Sequence, residues 1–401
     1  MGYALRVAEA LHRRGLLAGF LLYRRDEGLD RPRLDPVPLL GYPALRLGFH
    51  FGMGAEVLGP ALEAARGRLG GGRLYYQTNV LLPFHPPGRP LVVTHHAPFV
   101  DHVVEVMGPR LAAEAFGAGR AKLEHLRDSQ RLGLQHLARR RGAAVEISSI
   151  QADYLRAHGV ERRCIHRIHP PLESSAANGL SGEGARLRSF IAASGPRLVL
   201  CTACSRLDAF KNIELFVRAA LGLVESGLDL RALVIGGPPE DAQRRRLEGL
   251  VDAGLAHRFR FAPRVSRHDL AHLLDDLAGR GLFVCPSRYE TCGLTPLEAA
   301  ARGVCTLVAD TPDRVEAAML VPPRHRFTPT VEGLAAAVRR LTGGGRLRVE
   351  DRVLDEGAQA GSLDFDARFI AAWHRSMAPQ LPGCAAASDG LAPSRNPAHP
   401  A

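Results

Sequence analysis

Two rhythms of apolar residues alternate through the second half of the chain. RLVLCTAC (197–204), RALVIGG (231–237), RFRFAP (258–263), GLFVC (281–285) and VCTLVA (304–309) are short apolar runs, the pattern of strands buried on both faces. Between them, NIELFVRAALGLV (212–224), EDAQRRRLEGLVDAG (240–254) and SRHDLAHLLDDLAGR (266–280) space their apolar residues by three and four, as amphipathic helices do. Ser266 and Asp269 read as the capping box of the last. Strand–helix–strand units repeated in this way predict a parallel sheet covered on both sides. The first half repeats the pattern less cleanly. Its candidate strands are LLAGFLLY (16–23), RLYYQTNVLL (73–82), PLVVTHH (90–96) and AAVEISS (143–149), and its candidate helices are 52–67 and 121–141. MGYALRVAEALHRRG (1–15) is already helical, with no strand and glycine-rich turn before it.

The length of 401 residues suits two α/β domains rather than one. Residues 1–172 form the first, apparently without its opening strand; 173–195, rich in Gly, Ser and Ala, read as a linker. Residues 196–362 form the second domain, 363–378 a further helix, and 379–401 a disordered tail. RRGLLAGFLLYRR (13–25) is basic on both flanks and has no small-residue cleavage site, so it reads as a strand rather than a leader. The expected location is cytoplasmic.

The formal charge is +11, and residues 1–172 hold 24 Lys and Arg against 15 Asp and Glu. A basic first domain leaves peripheral contact with an anionic membrane open. No aromatic–basic interleaving marks a nucleic-acid groove, so nucleic acid is not an expected partner. The seven cysteines form no framework; CTAC (201–204) and CIHRIH (164–169) fit strands better than metal sites.

In an open parallel sheet, ligands bind beyond the carboxyl ends of the strands. SRLDAFKN (205–212) lies there, with Arg206 and Lys211 beside a helix that Asn212 can cap, an arrangement suited to phosphate oxygens. Lys211 is one of only two lysines in an arginine-rich chain, the other being Lys122. RYETCGLTPLEAA (288–300) sets Glu290 in a loop beside Gly293 and Glu298 in the following helix. Thr295 as N-cap, Pro296 in the first turn and Glu298 as capping-box partner would account for Glu298 without a ligand, but not for Glu290. His95 and His96 end a first-domain strand.

These segments resemble those of the family 4 retaining glycosyltransferases, whose GT-B fold sets two Rossmann-like domains across a cleft. SRYETCGLTPLEAAARG is similar to that family's E-x7-E signature. CSRLDAFKNIELFVRA is similar to its phosphate segment, VVTHHAPF to its first-domain strand ending in histidine, and FDARFIAAWHRSM to its terminal helix crossing back to the first domain. Two positions depart: Cys292 stands where the family usually has an aromatic residue and Ser205 where it has glycine. Nothing is carried over to Glu316, because DTPDRVEAA lacks the family's glycine pair.

The resemblance implies a hexosyltransferase using a UDP- or GDP-sugar as co-substrate and an unidentified acceptor: a glycan, a lipid-linked sugar or a small natural-product core. No other cofactor and no metal is expected, since side chains would neutralise the diphosphate. Arg206 and Lys211 would hold the diphosphate, with the backbone of Thr291, Cys292, Gly293 and Leu294 against sugar and phosphate. Glu290 and His96 would face the transferred sugar as catalytic residues. Glu298 would bind the ribose, Val265 would lie beside the base, and Gly236 would allow close approach. The alternatives are a nucleotide-sugar epimerase of the same architecture and a basic binding protein without catalysis. A nicotinamide dehydrogenase is disfavoured, because no G-x-G-x-x-G joins a strand to a helix.

Overall fold

A computed structural model describes residues 2–50, 52–139, 142–170, 172, 179–193, 198–343, 347 and 365–377. The first domain carries two sheets. β1 (Phe20–Arg25), β2 (Arg33–Pro36) and β3 (Ala44–Phe49) pair in the order β1-β3-β2, with β1 parallel and β2 antiparallel to β3. β4 (Leu74–Tyr76), β5 (Leu91–Val93), β6 (Ala143–Glu146) and β7 (Ile165–Arg167) form a second, all-parallel sheet. Leu47 and Phe49 of β3 share a core with Leu58 and Leu62 of the helix Ala55–Arg68, Val93 of β5 and Leu137 of the helix Arg120–Arg139. The parallel strands all end on one edge, which puts Gln77, His96 and Ser148 on the side facing the second domain.

The helix Gly2–His12 opens the chain and packs on the β4–β7 sheet beside the helix Phe365–Met377. Phe365, Phe369 and Trp373 recur every four residues, so one stripe of the later helix faces Val92 and Val145 of the sheet and Tyr3 and Val7 of the opening helix. The crossing-back helix read from FDARFIAAWHRSM therefore lies on the first domain.

The linker expectation needs correction. Residues 173–178 lie outside the described residues, as does the tail 379–401. Gly182–Ala192 is a helix whose Leu187 and Ile191 are buried in the core of the second domain. Its start is fixed by Ser181, which accepts from Gly184 N at 3.1 Å and donates its own N–H and hydroxyl to Asp269, both at 2.8 Å. Ser181, one of the residues that suggested a linker, serves as the helix cap. Asp269 also accepts from Ser266 Oγ at 2.8 Å, joining the expected capping box to this second helix.

β8 (Leu198–Ala203), β9 (Leu230–Ile235), β10 (Phe259–Ala262), β11 (Gly281–Cys285), β12 (Cys305–Ala309) and β13 (Arg326–Phe327) form one parallel sheet in the order β10-β9-β8-β11-β12-β13. Helices Ile213–Glu225 and Val331–Thr342 cover one face. Helices Gly182–Ala192, Arg267–Leu277 and Leu294–Ala301 cover the other. The strand order reverses between β8 and β11, where the loops leave for opposite faces and open a crevice. Among the described residues no helix is long and apolar enough to cross a membrane.

Phe210 and Tyr289, from the loops after β8 and β11, are buried with Val100, Val103, Ala112 and Leu123 of the first domain. The domains thus meet through an apolar cluster directly beside the crevice.

Candidate active site

Lys211 and Glu290 meet at the reversal point. The loop after β8 carries the ammonium and the loop after β11 the carboxylate, and the two form an ion pair with side chains only 16% and 19% exposed. Burial alone would lower the Lys211 pKa, but the Glu290 charge outweighs it and leaves the group above its ordinary value, so it stays cationic. Ser287 Oγ donates to Glu290 Oε2 at 3.3 Å. The Glu290 backbone is pinned as well: its N–H donates to Arg314 O at 2.8 Å, and its carbonyl accepts from Glu316 N at 3.1 Å. The acid is therefore preorganised by the loop after β12. Arg206 stands on the rim, 65% exposed, with Nε 3.0 Å from Asp208 Oδ2. Burial pushes Cys204 and Cys285, beside the pair, up to about 12 and about 11, so both are neutral thiols. The strand interpretation of CTAC holds. Among the described residues no group of His, Cys, Asp and Glu is placed to hold a metal ion.

The expected capping box around Thr295 is not formed. Gly293 is the N-cap, with φ of 74°, and the helix begins at Leu294. A side chain at 293 would strain the backbone, and its Cβ would lie 2.8 Å from Ala317 Cβ and 3.3 Å from Glu290 Cγ. No side chain caps this helix, which leaves its first N–H groups available beside the Lys211–Glu290 pair. Glu298 falls two residues past the position a capping partner must occupy, and its carboxylate pairs with Arg267. Glu298 thus joins the helices that follow β10 and β11. Asn212 departs in the same way: it is an N-cap in the left-handed region (φ 51°) whose side chain makes no capping bond.

Gly236 follows β9, where a Cβ would lie 2.9 Å from Cys204 Sγ and 3.0 Å from Leu207 Cδ2. Close packing of the β8 and β9 ends is enough to require glycine there. Val265 is half-buried against the core of the second domain. Cys292 is buried in the cluster of Tyr3 and Phe365, with Leu294 packed beside it. Thr291 of this loop also meets the first domain, its Oγ1 donating to His96 O at 3.4 Å.

The His96 side chain donates Nε2–H to Gln77 Oε1 at 2.6 Å, leaving Nδ1 as an acceptor. Burial holds His96 near a pKa of about 4, and likewise His169 beyond β7. Both are neutral at pH 7. Unfolded histidine titrates near 6.5, so between those values the unfolded chain binds protons that the folded chain does not. Stability is then complete above pH 6.5 and falls as pH drops toward 4. The melting midpoint should decline steeply across that window, and His96→Gln and His169→Gln should each flatten the decline. Superimposable pH profiles for wild type and both variants would contradict the assignment.

Several residues that the sequence left without a role meet at the crevice. Glu316 is buried, and its carboxylate accepts from Ser149 N at 2.9 Å, from Ser149 Oγ at 2.8 Å and from Ile150 N at 3.4 Å. A second-domain acid thus caps the first-domain helix Ser149–Ala157, whose next N–H, on Gln151, goes to Ser148 Oγ. Tyr289 OH lies 2.7 Å from His102 Nδ1 across the same interface. His95 Nδ1 lies 2.6 Å from Glu146 Oε1, both side chains wholly buried. Gln77 and Ser148–Ser149 could have been found by asking of the first domain what was asked of the second, namely which polar residues follow its strands. Glu316 carried no such signal, because its partners lie in the other domain.

Residues 197–343 match the family model described as Glycosyl transferases group 1. The lipopolysaccharide core biosynthesis mannosyltransferase LpsB of Rhizobium meliloti (strain 1021) is 31% identical over 183 residues, 43% of this chain and 47% of the relative. A glycogen synthase of Paracoccus denitrificans (strain Pd 1222) is 30% identical over 181 residues, 45% of this chain and 33% of that protein. The chain therefore matches less than half of either relative's length. The structure of a sucrose-phosphate synthase from Thermosynechococcus elongatus superposes with a TM-score of 0.59 at 18% identity, over 94% of this chain and 90% of that one. At such identity the likeness establishes the fold, which is GT-B.

Proposed function

We propose that this protein is a retaining glycosyltransferase of the family 4 type, moving a hexose from a UDP- or GDP-sugar to a hydroxyl of a glycan, lipid-linked or small natural-product acceptor. The observation that carries this reading is the Lys211–Glu290 pair at the strand-order reversal, beside the uncapped start of the helix Leu294–Ala301. Cleaving the bond from anomeric carbon to phosphate leaves negative charge on the diphosphate and positive character on the sugar ring. Lys211, the exposed Arg206 and the free amides between Thr291 and Leu294 stabilise the first from fixed positions. Glu290 accepts hydrogen bonds from sugar hydroxyls while its charge opposes the developing ring cation. Neutral His96 offers Nδ1 to a sugar hydroxyl from the first domain. Glu298, oriented by Arg267, takes the ribose hydroxyls, with Val265 and Gly236 along the nucleoside. The acceptor attacks from the face the leaving group vacates, which retains the anomeric configuration.

Incubation with UDP- and GDP-hexoses plus candidate acceptors should release nucleoside diphosphate only when an acceptor is present, and NMR of the product should show the donor's anomeric configuration. An isomeric nucleotide sugar formed without acceptor would replace this reading with epimerisation.

A further inference from the structure

Next to Asn212 and Ser287, beside the Lys211–Glu290 pair, lies a cavity of about 540 Å³ that the donor reading does not use, a size usual for small-molecule sites. Its first-domain wall is Val106, Met107 and Leu111, and its second-domain wall includes Asn212, Ser287, Arg288, Thr311 and Arg314. Four features make it attractive to an anion. First, Arg288 is half-buried and donates Nη1 to Ala209 O at 2.9 Å, with no carboxylate paired to it among the described residues. Burial lowers its pKa, outweighing the opposing pull of Glu114 and Glu214. Second, Arg314 donates to Val106 O, while its buried Nε makes no hydrogen bond and lies 3.6 Å from Asp313 Oδ2. Third, Thr311 is only 8% exposed and its Oγ1 is buried without a partner, although its carbonyl accepts from Arg314 N and Val315 N. A buried hydroxyl left unmatched is costly unless something fills the space beside it. Fourth, the thirteen-residue helix Ile213–Glu225 starts at the cavity with no side chain capping it. The one acid in the lining, Glu214, is already neutralised, by Arg218 at 2.7 Å and Arg246 at 2.8 Å.

We propose that this interdomain cavity is a second ligand site, separate from the donor crevice, that takes a phosphate-bearing small molecule between Arg288, Arg314, the Thr311 hydroxyl and the start of the helix Ile213–Glu225. Its walls come from both domains, so an occupant stabilises their closed arrangement.

Titration of the full chain with inorganic phosphate and, separately, with glycerol 3-phosphate, read by calorimetry and melting midpoint, tests the site. Wild type and Lys211→Ala should both bind and be stabilised. Arg288→Gln and Thr311→Val should weaken binding about tenfold or more for the arginine and less for the threonine, with nucleoside diphosphate binding unchanged in both. Tighter binding of glycerol 3-phosphate than of phosphate would mean that the site takes an ester, and the reverse that it takes the free ion. Binding lost in Lys211→Ala but kept in Arg288→Gln and Thr311→Val would place the phosphate in the donor crevice and overturn the proposal. So would the absence of any binding to wild type by either probe.

Discussion

Lys211→Ala is expected to lower the rate of sugar transfer by about a hundred- to a thousandfold, the usual consequence of removing one preorganised group that stabilises transition-state charge. It should also cost about 3 kcal/mol of folding stability, because Glu290 would be left as a buried charge without a counter-ion. Glu290→Ala should do the same from the other side. The double variant Lys211→Ala/Glu290→Ala separates structure from chemistry. With both charges gone the desolvation penalty disappears, so urea unfolding should show much of the stability recovered. Transfer should stay as low as in the worse single variant. Recovery of activity together with stability would mean that the pair is only structural.

Glu316→Ala should loosen the closure of the domains. Its carboxylate satisfies the first two N–H groups and the first hydroxyl of the helix Ser149–Ala157 from the opposite domain, and charge-assisted bonds in a buried setting are the strong ones. Losing them should cost roughly 2–3 kcal/mol and shift the population toward an open arrangement. Small-angle scattering should then report a larger radius of gyration than for wild type, and the donor KM should rise, since Glu316 N also holds the Glu290 carbonyl at 3.1 Å. Unchanged scattering and unchanged stability would show that the apolar cluster of Phe210 and Tyr289 suffices to hold the domains together. A hinge motion that opens the cleft must break these Glu316 contacts.

Local pattern and tertiary contact divided what could be read in advance. The second-domain strands were legible because each is an apolar run buried on both faces, and parallel alternation fixes their carboxyl ends on one edge. That rule brought Lys211 and Glu290 to the same crevice from positions 79 residues apart. The helix Phe365–Met377 was legible from the resemblance of FDARFIAAWHRSM to the family's crossing-back helix, and its aromatic stripe gains meaning only against the sheet. The helix Gly182–Ala192 was hidden by composition: its Gly and Ser residues weaken the local signal, and Leu187 and Ile191 gain their meaning only against the sheet. The N-cap at Gly293 was missed because Thr295 and Pro296 are strong local signals, while the lack of room for a side chain at 293, beside Ala317 and Glu290, shows only in the folded chain. The antiparallel strand β2 could not be read from the first-domain pattern, being four residues long and only partly buried. Glu316 lies outside any single-segment rule, since its role is defined by Ser149, 167 residues away.

The central claim is that a diphosphate docks between Arg206, Lys211 and the start of the helix Leu294–Ala301. Calorimetric titration of UDP and GDP into wild type and into Arg206→Ala/Lys211→Ala addresses it most directly. One of the two nucleotides should bind wild type saturably and lose most of its affinity in the double variant. Equal affinity of wild type and the variant for both nucleotides would contradict the account.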